Sequence, residues 1–238
     1  MEFSRRGSFT RHFLLLLPFL FPVFSYGQKY SVGIKAAPLV SWPSFANKEI
    51  KDTLSVGLRG GYSVGALVSF PMKNKFDFIA EAGYSQKGKR TKFNEVIVNR
   101  STYTFVDATL LLRKSYTFRL EKNIPSDVYF NFGPDVSYWL KGKGEFTGGG
   151  KWYPYSVSFN DSIGTIREMA VERVNRWLFG LVFGVGIKAP LLGHQKVGVE
   201  LRFVSGHTYF SEVNKIDQQH YPSLTLWTLT NTTSNQFH

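Results

Sequence analysis

Eight stretches of this chain alternate apolar and polar side chains, and the connections between them alternate between long and short. Between positions 196 and 204, for example, Val199 and Leu201 alternate with Glu200 and Arg202. A period of two puts successive side chains on opposite faces of a β-strand. The sequence therefore predicts an all-β protein, with strands at 30–37, 62–70, 76–85, 102–116, 128–141, 177–189, 196–204 and 222–232.

The lengths of the connections favour a membrane protein over a soluble β-sandwich, in which strands also alternate. The connections 38–58, 87–101, 142–175 and 206–221 are long, whereas 71–75, 117–126 and 190–195 are shorter. Long outer loops and short periplasmic turns are typical of outer-membrane barrels. We therefore predict an eight-stranded antiparallel transmembrane β-barrel, an up-and-down meander in the cell outer membrane. Aromatic residues near strand ends fit girdles at the two interfaces, among them Tyr62, Tyr84, Tyr103, Tyr138 and Trp177.

The N-terminus has the pattern of a cleaved export signal. A positive start that includes Arg5 precedes an apolar stretch at 13–24, and small residues up to Gly27 offer a cleavage site. The apolar stretch is shorter than the ~20 residues that a membrane-spanning helix needs. We predict a signal peptide at 1–27 and a single barrel domain at 28–238.

The composition limits the chemistry of the protein. With no cysteine, the chain has no disulfide, no thiolate metal site and no cysteine for lipid attachment. The net charge of +12 could indicate nucleic-acid binding, but an exported protein first meets anionic lipid and lipopolysaccharide. We expect outer-membrane lipid and lipopolysaccharide as partners, and no nucleic acid.

Charged residues recur on the face of the strands that is predicted to point into the barrel. An eight-stranded barrel has an interior just wide enough to be filled by side chains, so these charges favour a packed network of ion pairs over a proton relay or a substrate site. Pro134 interrupts the fifth predicted strand and suggests a bulge or a kink there. The predicted lumen network consists of Lys35, Asp77, Glu81, Asp107, Arg113, Asp135, Lys188, Glu200 and Arg202, with Lys141 and Lys196 on the same predicted face.

The predicted outer loops carry more basic than acidic residues, and one basic cluster lies just above the membrane rim. Lys87, Lys89, Arg90 and Lys92 fall within six consecutive positions. We hypothesise that they contact lipopolysaccharide phosphates through charge-assisted hydrogen bonds. A solvated basic loop is the alternative.

Candidate catalytic residues are sparse. His194 lies in a predicted short turn, and Asp217 precedes His220 by three positions in a predicted outer loop that begins near His207. Such a pair could activate water in a barrel enzyme acting on lipid or peptide, but the spacing alone is weak support. Glycines at 142–150 lack the strand–loop–helix context of a phosphate-binding loop and suggest a flexible start to the longest outer loop. We predict no catalytic residue, no cofactor and no metal.

Several segments resemble the PorT-like outer-membrane β-barrel family of gliding and gut-type Gram-negative bacteria. The similarity lies at 30–36, 64–71, 78–88, 108–114, 132–138 and 183–187, and its most specific piece is Tyr-Ser-Gln-Lys-Gly at 84–88.

This resemblance implies an eight-stranded barrel that serves as a membrane scaffold or binding surface. It also offers, as an alternative, a component of a secretion or gliding machinery. Family members tend to end on an aromatic residue that closes the last strand, whereas here the predicted strand is followed by a polar segment up to His238.

Overall fold

The computed structural model describes residues 30–45, 54–93, 96–120, 124–159, 168–170, 174–191, 195–206, 208, 219–220 and 223–235. The predicted signal peptide and the candidate side chains of His194, His207, Asp217 and His220 lie outside what is described. Within the described residues, no helix is long and apolar enough to cross a membrane.

Eight antiparallel strands form a closed ring. Each pairs with the next along the chain, and the last pairs with the first, so that Tyr30 lies opposite Asn235. The predicted eight-stranded meander is therefore confirmed. The ring strands are β1 (Tyr30–Ser41), β4 (Arg59–Pro71), β5 (Phe76–Phe93), β6 (Ile97–Leu120), β7 (Ile124–Gly148), β10 (Trp177–Pro190), β11 (Gln195–Gly206) and β13 (Ser223–Asn235).

Five shorter strands lie on the side of the barrel opposite the chain termini. The strand β3 (Leu54–Gly57) pairs with the upper part of β5, and β8 (Lys151–Ser158) pairs with the upper part of β7. A parallel strand, β9 (Glu168–Ala170), adds to β8. The strands β2 (Ser44–Phe45) and β12 (Gln219–His220) pair with each other and join two of the long connections.

The two faces of the ring differ as the alternation predicts. Ile34 and Phe183 point outward and are 68% and 49% exposed, whereas Ile79 and Leu111 point inward and are fully buried. An apolar exterior of this kind is stable only against hydrocarbon. The outward side chains thus form the surface that the predicted bilayer would cover.

Two predicted connections are much shorter than expected, because their residues continue the strands. The segment 87–101 is not a loop, since β5 runs to Phe93 and β6 begins at Ile97. The turn predicted at 117–126 is also shorter, since Leu120 already pairs with Ile124. These segments are polar, and sequence alternation alone does not distinguish a polar strand from a loop.

The predicted flexible glycine segment at 142–150 is mostly strand as well. Gly148 pairs with Lys151, leaving Gly149 and Gly150 as a two-residue turn. Both have a positive φ, 56° and 78°, which the tight turns of β-hairpins require and which glycine adopts at little cost.

The pairing of β6 and β7 corrects three predictions. Their register shifts between Thr104 and Phe105, which leaves Leu140 of β7 as the extra residue, and beyond this bulge Lys141 is exposed rather than inward. Tyr103 shares the inward face of β6 with Phe105 and is buried rather than part of a girdle. No shift occurs at Pro134, because Thr109 opposite Asp135 and Leu112 opposite Phe132 keep one register.

The last strand carries a further irregularity. Its register shifts by one residue against both neighbouring strands. Against β1 the shift lies between Thr225 and Leu229, and against β11 it lies between Thr225 and Thr228. A bulge of this kind puts the two halves of a strand out of phase, which explains why the sequence did not determine the register of this strand. The strand also continues to Asn235, three residues beyond the predicted end.

A charge on the outer face tests the membrane position of the ring. We expect Phe183→Arg to lower the free energy of unfolding by about 2–4 kcal/mol, because its position near the bilayer midplane deprives the charge of water. Val96→Arg, at the tip of the β5–β6 hairpin, is the control and should change stability by less than about 0.5 kcal/mol. Urea unfolding in lipid vesicles, followed by tryptophan fluorescence, measures both, and equal effects would contradict a membrane-embedded ring.

Candidate functional site

The centre of the lumen is held by one arginine between two carboxylates. Arg202 Nη1 and Nη2 lie 2.6 and 3.1 Å from the two carboxylate oxygens of Glu81, and its Nε lies 2.6 Å from Glu200 Oε1. Lys35 also forms an ion pair with Glu81. The arrangement follows from the strands, since Glu200 and Arg202 are two residues apart on β11 and share its inner face.

The second oxygen of Glu200 connects this group to the opposite wall. Asn131 Nδ2 donates a hydrogen bond to Glu200 Oε2 at 2.8 Å, and Arg113 Nε donates one to Asn131 Oδ1 at 2.9 Å. Gly184 makes this possible, because a Cβ atom there would lie 2.5 Å from Glu200 Oε1. The Arg113 guanidinium also lies 4.0 Å from the centre of the Tyr129 ring.

Two further charge groups lie toward the ends of the lumen. Near the short turns, Lys188 Nζ lies 3.6 Å from Asp77 Oδ2 and 3.9 Å from Asp127 Oδ2. At the other end, Thr109 donates a hydrogen bond to Asp135, and Ser137 donates one to Asp107. Together with the central group, these contacts involve all nine residues of the predicted lumen network. Lys196, also predicted to face inward, is half exposed.

The upper mouth of the lumen is covered by an aromatic cluster. Tyr103, Phe105 and Trp139 are buried, and Phe159 packs edge-on against Trp139 with ring centres 4.9 Å apart. The residues before β10 are held there by Arg176, whose Nε donates to the Trp139 carbonyl at 3.0 Å. Below the cluster, a cavity of about 30 Å³ beside Asp135 has room for about two water molecules. The described lumen is thus filled with side chains.

Beyond the ring, β5, β6 and β7 extend as one open sheet, with β3 and β8 added at its two edges. We call it the extracellular sheet because we expect it to face outward, as the long connections of such barrels do. Its inner face is stiffened by Tyr155, whose hydroxyl lies 2.7 Å from Ser101 Oγ and 2.8 Å from Asn99 Oδ1. Burial raises the pKa of the Tyr155 hydroxyl. Gly144 leaves room for this ring, because a Cβ atom there would lie 2.4 Å from it.

The four residues of the predicted lipopolysaccharide contact do not share a surface. They lie on β5, where Lys87 and Lys89 point toward the inner face and Arg90 and Lys92 toward the outer face, as alternation requires. Lys87 is turned into the lumen, 3.9 Å from Asp107 Oδ1 and 5.1 Å from the centre of the Phe105 ring.

A basic groove on the outer face of the extracellular sheet was not predicted as a site. Arg59, Arg100 and Lys143 line it together with Thr102, and its volume is about 530 Å³. A second groove, of about 290 Å³, lies beside Arg90 and Lys92 against β3. The sequence prediction missed the first groove because its residues come from four strands, and Arg100, Lys143 and the residues of β8 lie in segments that were predicted as loops.

A metal site needs several histidine or carboxylate side chains that converge on one point. Among the described residues, no group of three His, Asp or Glu side chains is placed to hold a metal ion. The side chains of the predicted Asp217 and His220 pair lie outside the described part, so the enzyme alternative stays a prediction.

The lumen contacts predict a large difference between buried and exposed ion pairs. We expect Arg202→Met to lower the free energy of unfolding by about 3–5 kcal/mol, because it leaves Glu81 and Glu200 buried without their main partner. The control is Arg100→Met, which breaks a half-exposed pair with Glu145 on the extracellular sheet and should cost at most about 1 kcal/mol. Urea unfolding of the folded protein in detergent measures both, and a small effect of Arg202→Met would contradict this role.

Comparison with known proteins agrees with this architecture. Residues 26–208, most of the chain, match the family described as outer membrane protein beta-barrel domain. No curated protein sequence matches significantly.

Similar solved structures include Ail, the attachment invasion locus protein of Yersinia pestis, at 14% identity over 88% of this chain and 100% of Ail, with a TM-score of 0.36. The outer membrane protein OprG of Pseudomonas aeruginosa is 10% identical over 88% of this chain and 98% of OprG, with a TM-score of 0.44. Neisserial surface protein A is 13% identical over 86% of this chain and 96% of its own, with a TM-score of 0.36. On the family match, this chain belongs to the outer membrane protein beta-barrel domain family and is a protein of the outer membrane.

Proposed function

We propose that this protein is a non-enzymatic barrel that anchors a rigid extracellular sheet and presents it as a binding surface. The observation that carries the proposal is the length of the strands. The strands β6 and β7 have 24 and 25 residues, whereas a tilted strand crosses the bilayer in ~9–11. More than half of each strand therefore lies beyond the hydrocarbon, and hydrogen bonds across the sheet hold it in a fixed shape.

The filled lumen supports an anchor rather than a pore. Glu81, Glu200 and Arg202 meet in its centre, each at most 6% exposed. A wide aqueous path would have to separate charges that are buried and paired, which is costly.

Several finer features of the proposal rest on the sequence. The PorT-like assignment, and with it the alternative of a secretion or motility component, rests on the segments that resemble that family. Removal of residues 1–27 and a barrel domain at 28–238 rest on the pattern of the export signal. The lipid and lipopolysaccharide partners rest on the basic charge and on the location in the outer membrane.

The orientation of the sheet is tested by cysteine labelling, since the chain has no cysteine of its own. We expect Lys151→Cys, at the start of β8, to react with a membrane-impermeant maleimide on intact cells. Lys73→Cys, in the turn between β4 and β5, is the control and should react only after the outer membrane is opened. The reverse pattern would place the sheet in the periplasm and end the proposal.

The closed lumen is tested by conductance. We expect the folded protein to give no steady, large openings in planar bilayers, because side chains fill an eight-stranded barrel. Stable openings of porin size would contradict the anchor function and show that the ion-pair network does not close the barrel.

A further inference from the structure

The outer face of the extracellular sheet carries a basic surface that has little neutralising charge. The pairing of β6 with β5 and β7 places Arg100 beside both Arg90 and Glu145, and Thr102 beside Lys143. In the described part of the chain, Glu145 is the acid that faces this surface, and it lies 3.8 Å from Arg100. Among the described residues, Arg59, Arg90 and Lys143 form no ion pair.

Like charges held this close are stable when an anion lies between them. We call this surface the basic face and define it as Arg59, Arg90, Lys92, Arg100 and Lys143.

Neighbouring residues hold the arginines of the basic face in place. The stem of Arg59 lies flat over Gly88, where a Cβ atom would be 2.6 Å from Arg59 Cδ. The guanidinium of Arg100 lies 4.5 Å from the centre of the Trp152 ring. Arg90 packs on Gly57, and its Nε is buried without a hydrogen-bond partner in the described part of the chain. Donors that are already oriented lose little entropy when they bind an anion.

The height of the groove above the bilayer indicates the kind of anion. Tyr84, Val106, Tyr138 and Trp177 form one row of outward residues across four strands, with the aromatic ring pair Tyr138–Trp177 at 4.8 Å. Aromatic rows of this kind mark the membrane interface.

Along β6, Thr102 and Arg100 lie four and six residues beyond Val106. At ~3.3 Å per residue and a tilt of ~40°, they stand about 10–15 Å above the row. The headgroup layer of an ordinary bilayer is only about 5–8 Å thick on each side. Phospholipid phosphates therefore lie below the groove, whereas phosphates on a saccharide headgroup reach it.

We propose that the basic face binds phosphate groups on the saccharide headgroup of lipopolysaccharide, with Arg59, Arg100 and Lys143 as the main contacts. Arginine and lysine form charge-assisted hydrogen bonds with phosphate oxygens, and the Thr102 and Ser156 hydroxyls that line the groove suit sugar hydroxyls. The inference rests on the proposed function, because the sheet must face outward to meet this lipid. Of the cluster predicted from the sequence, Arg90 and Lys92 remain as flanking contacts.

The main test compares two triple variants that lose the same charge. In Arg59→Ser, Arg100→Ser, Lys143→Ser, we expect purified lipopolysaccharide to bind the folded full-length protein about tenfold or more weakly, because three charged contacts are lost. The control, Lys73→Ser, Lys75→Asn, Arg119→Ser, removes three charges near the short turns and should bind like the unchanged protein. Heat-modifiable gel mobility checks that both variants are folded. An unchanged affinity in the first variant, or an equal loss in the control, would overturn the proposal.

A second pair of variants leaves the charge unchanged. Gly88→Ala places a methyl group against the stem of Arg59, and we expect it to weaken binding. Gly60→Ala, on the same strand as Arg59, meets no atom within 4 Å and is the control. If Gly88→Ala weakens lipopolysaccharide binding and Gly60→Ala does not, the groove depends on the position of the Arg59 side chain. Equal affinities of the two variants would show that only the net charge matters and would contradict a built site.

Different ligands distinguish the source of the phosphate. We expect the affinity of the unchanged protein for lipopolysaccharide to fall with added salt and with enzymatic dephosphorylation of the lipid. Vesicles of phosphatidylglycerol and inorganic phosphate should bind weakly and without dependence on the three residues. Binding of phosphatidylglycerol that is as tight, and as sensitive to the triple variant, would overturn the saccharide assignment. If Lys151→Cys labels from outside while the triple variant still binds normally, this inference fails and the proposed function stands.

Discussion

Backbone groups that cross a bilayer find no water to bond, so every N–H and C=O within the hydrocarbon must pair with another strand. In this chain the requirement is met by closing the sheet, as β13 returns to β1 and β10 pairs with both β7 and β11. Closure with eight strands in turn sets a narrow interior. The outward apolar surface and the filled lumen both follow from that one constraint.

The narrow interior explains why the lumen charges are arranged as they are. The charges at the centre of the lumen are shielded from bulk water, so they are tolerated only beside an opposite charge or a hydrogen-bond partner. Arg202 meets this condition for two carboxylates at once, and Gly184 provides the space for one of them. The same side chains that neutralise one another also fill the lumen, which supports the anchor function that we propose.

Above the bilayer the constraint is lifted, because water can pair with exposed backbone groups. The sheet opens there and gains β3 and β8 at its edges. One set of strands thus has two roles, with lipid-facing apolar side chains low on its outer face and the basic face higher up. The change from apolar to basic side chains occurs along one row, since the outward positions of β6 run from Leu110 and Val106 to Thr102 and Arg100. Position along a strand decides whether a residue meets hydrocarbon or headgroup.

The sequence by itself determined the number of ring strands and the inward and outward faces of most of them, because alternation with a period of two depends only on neighbouring residues. It did not determine where polar strands end, so 87–101 was predicted as a loop. Only the tertiary structure decided that β5 continues as a strand through Lys87 and Arg90, that a bulge at Leu140 exposes Lys141, and that Arg59, Arg100 and Lys143 meet in one groove. Those outcomes depend on cross-strand register, which is set by pairing between distant segments and leaves no periodic trace along the chain.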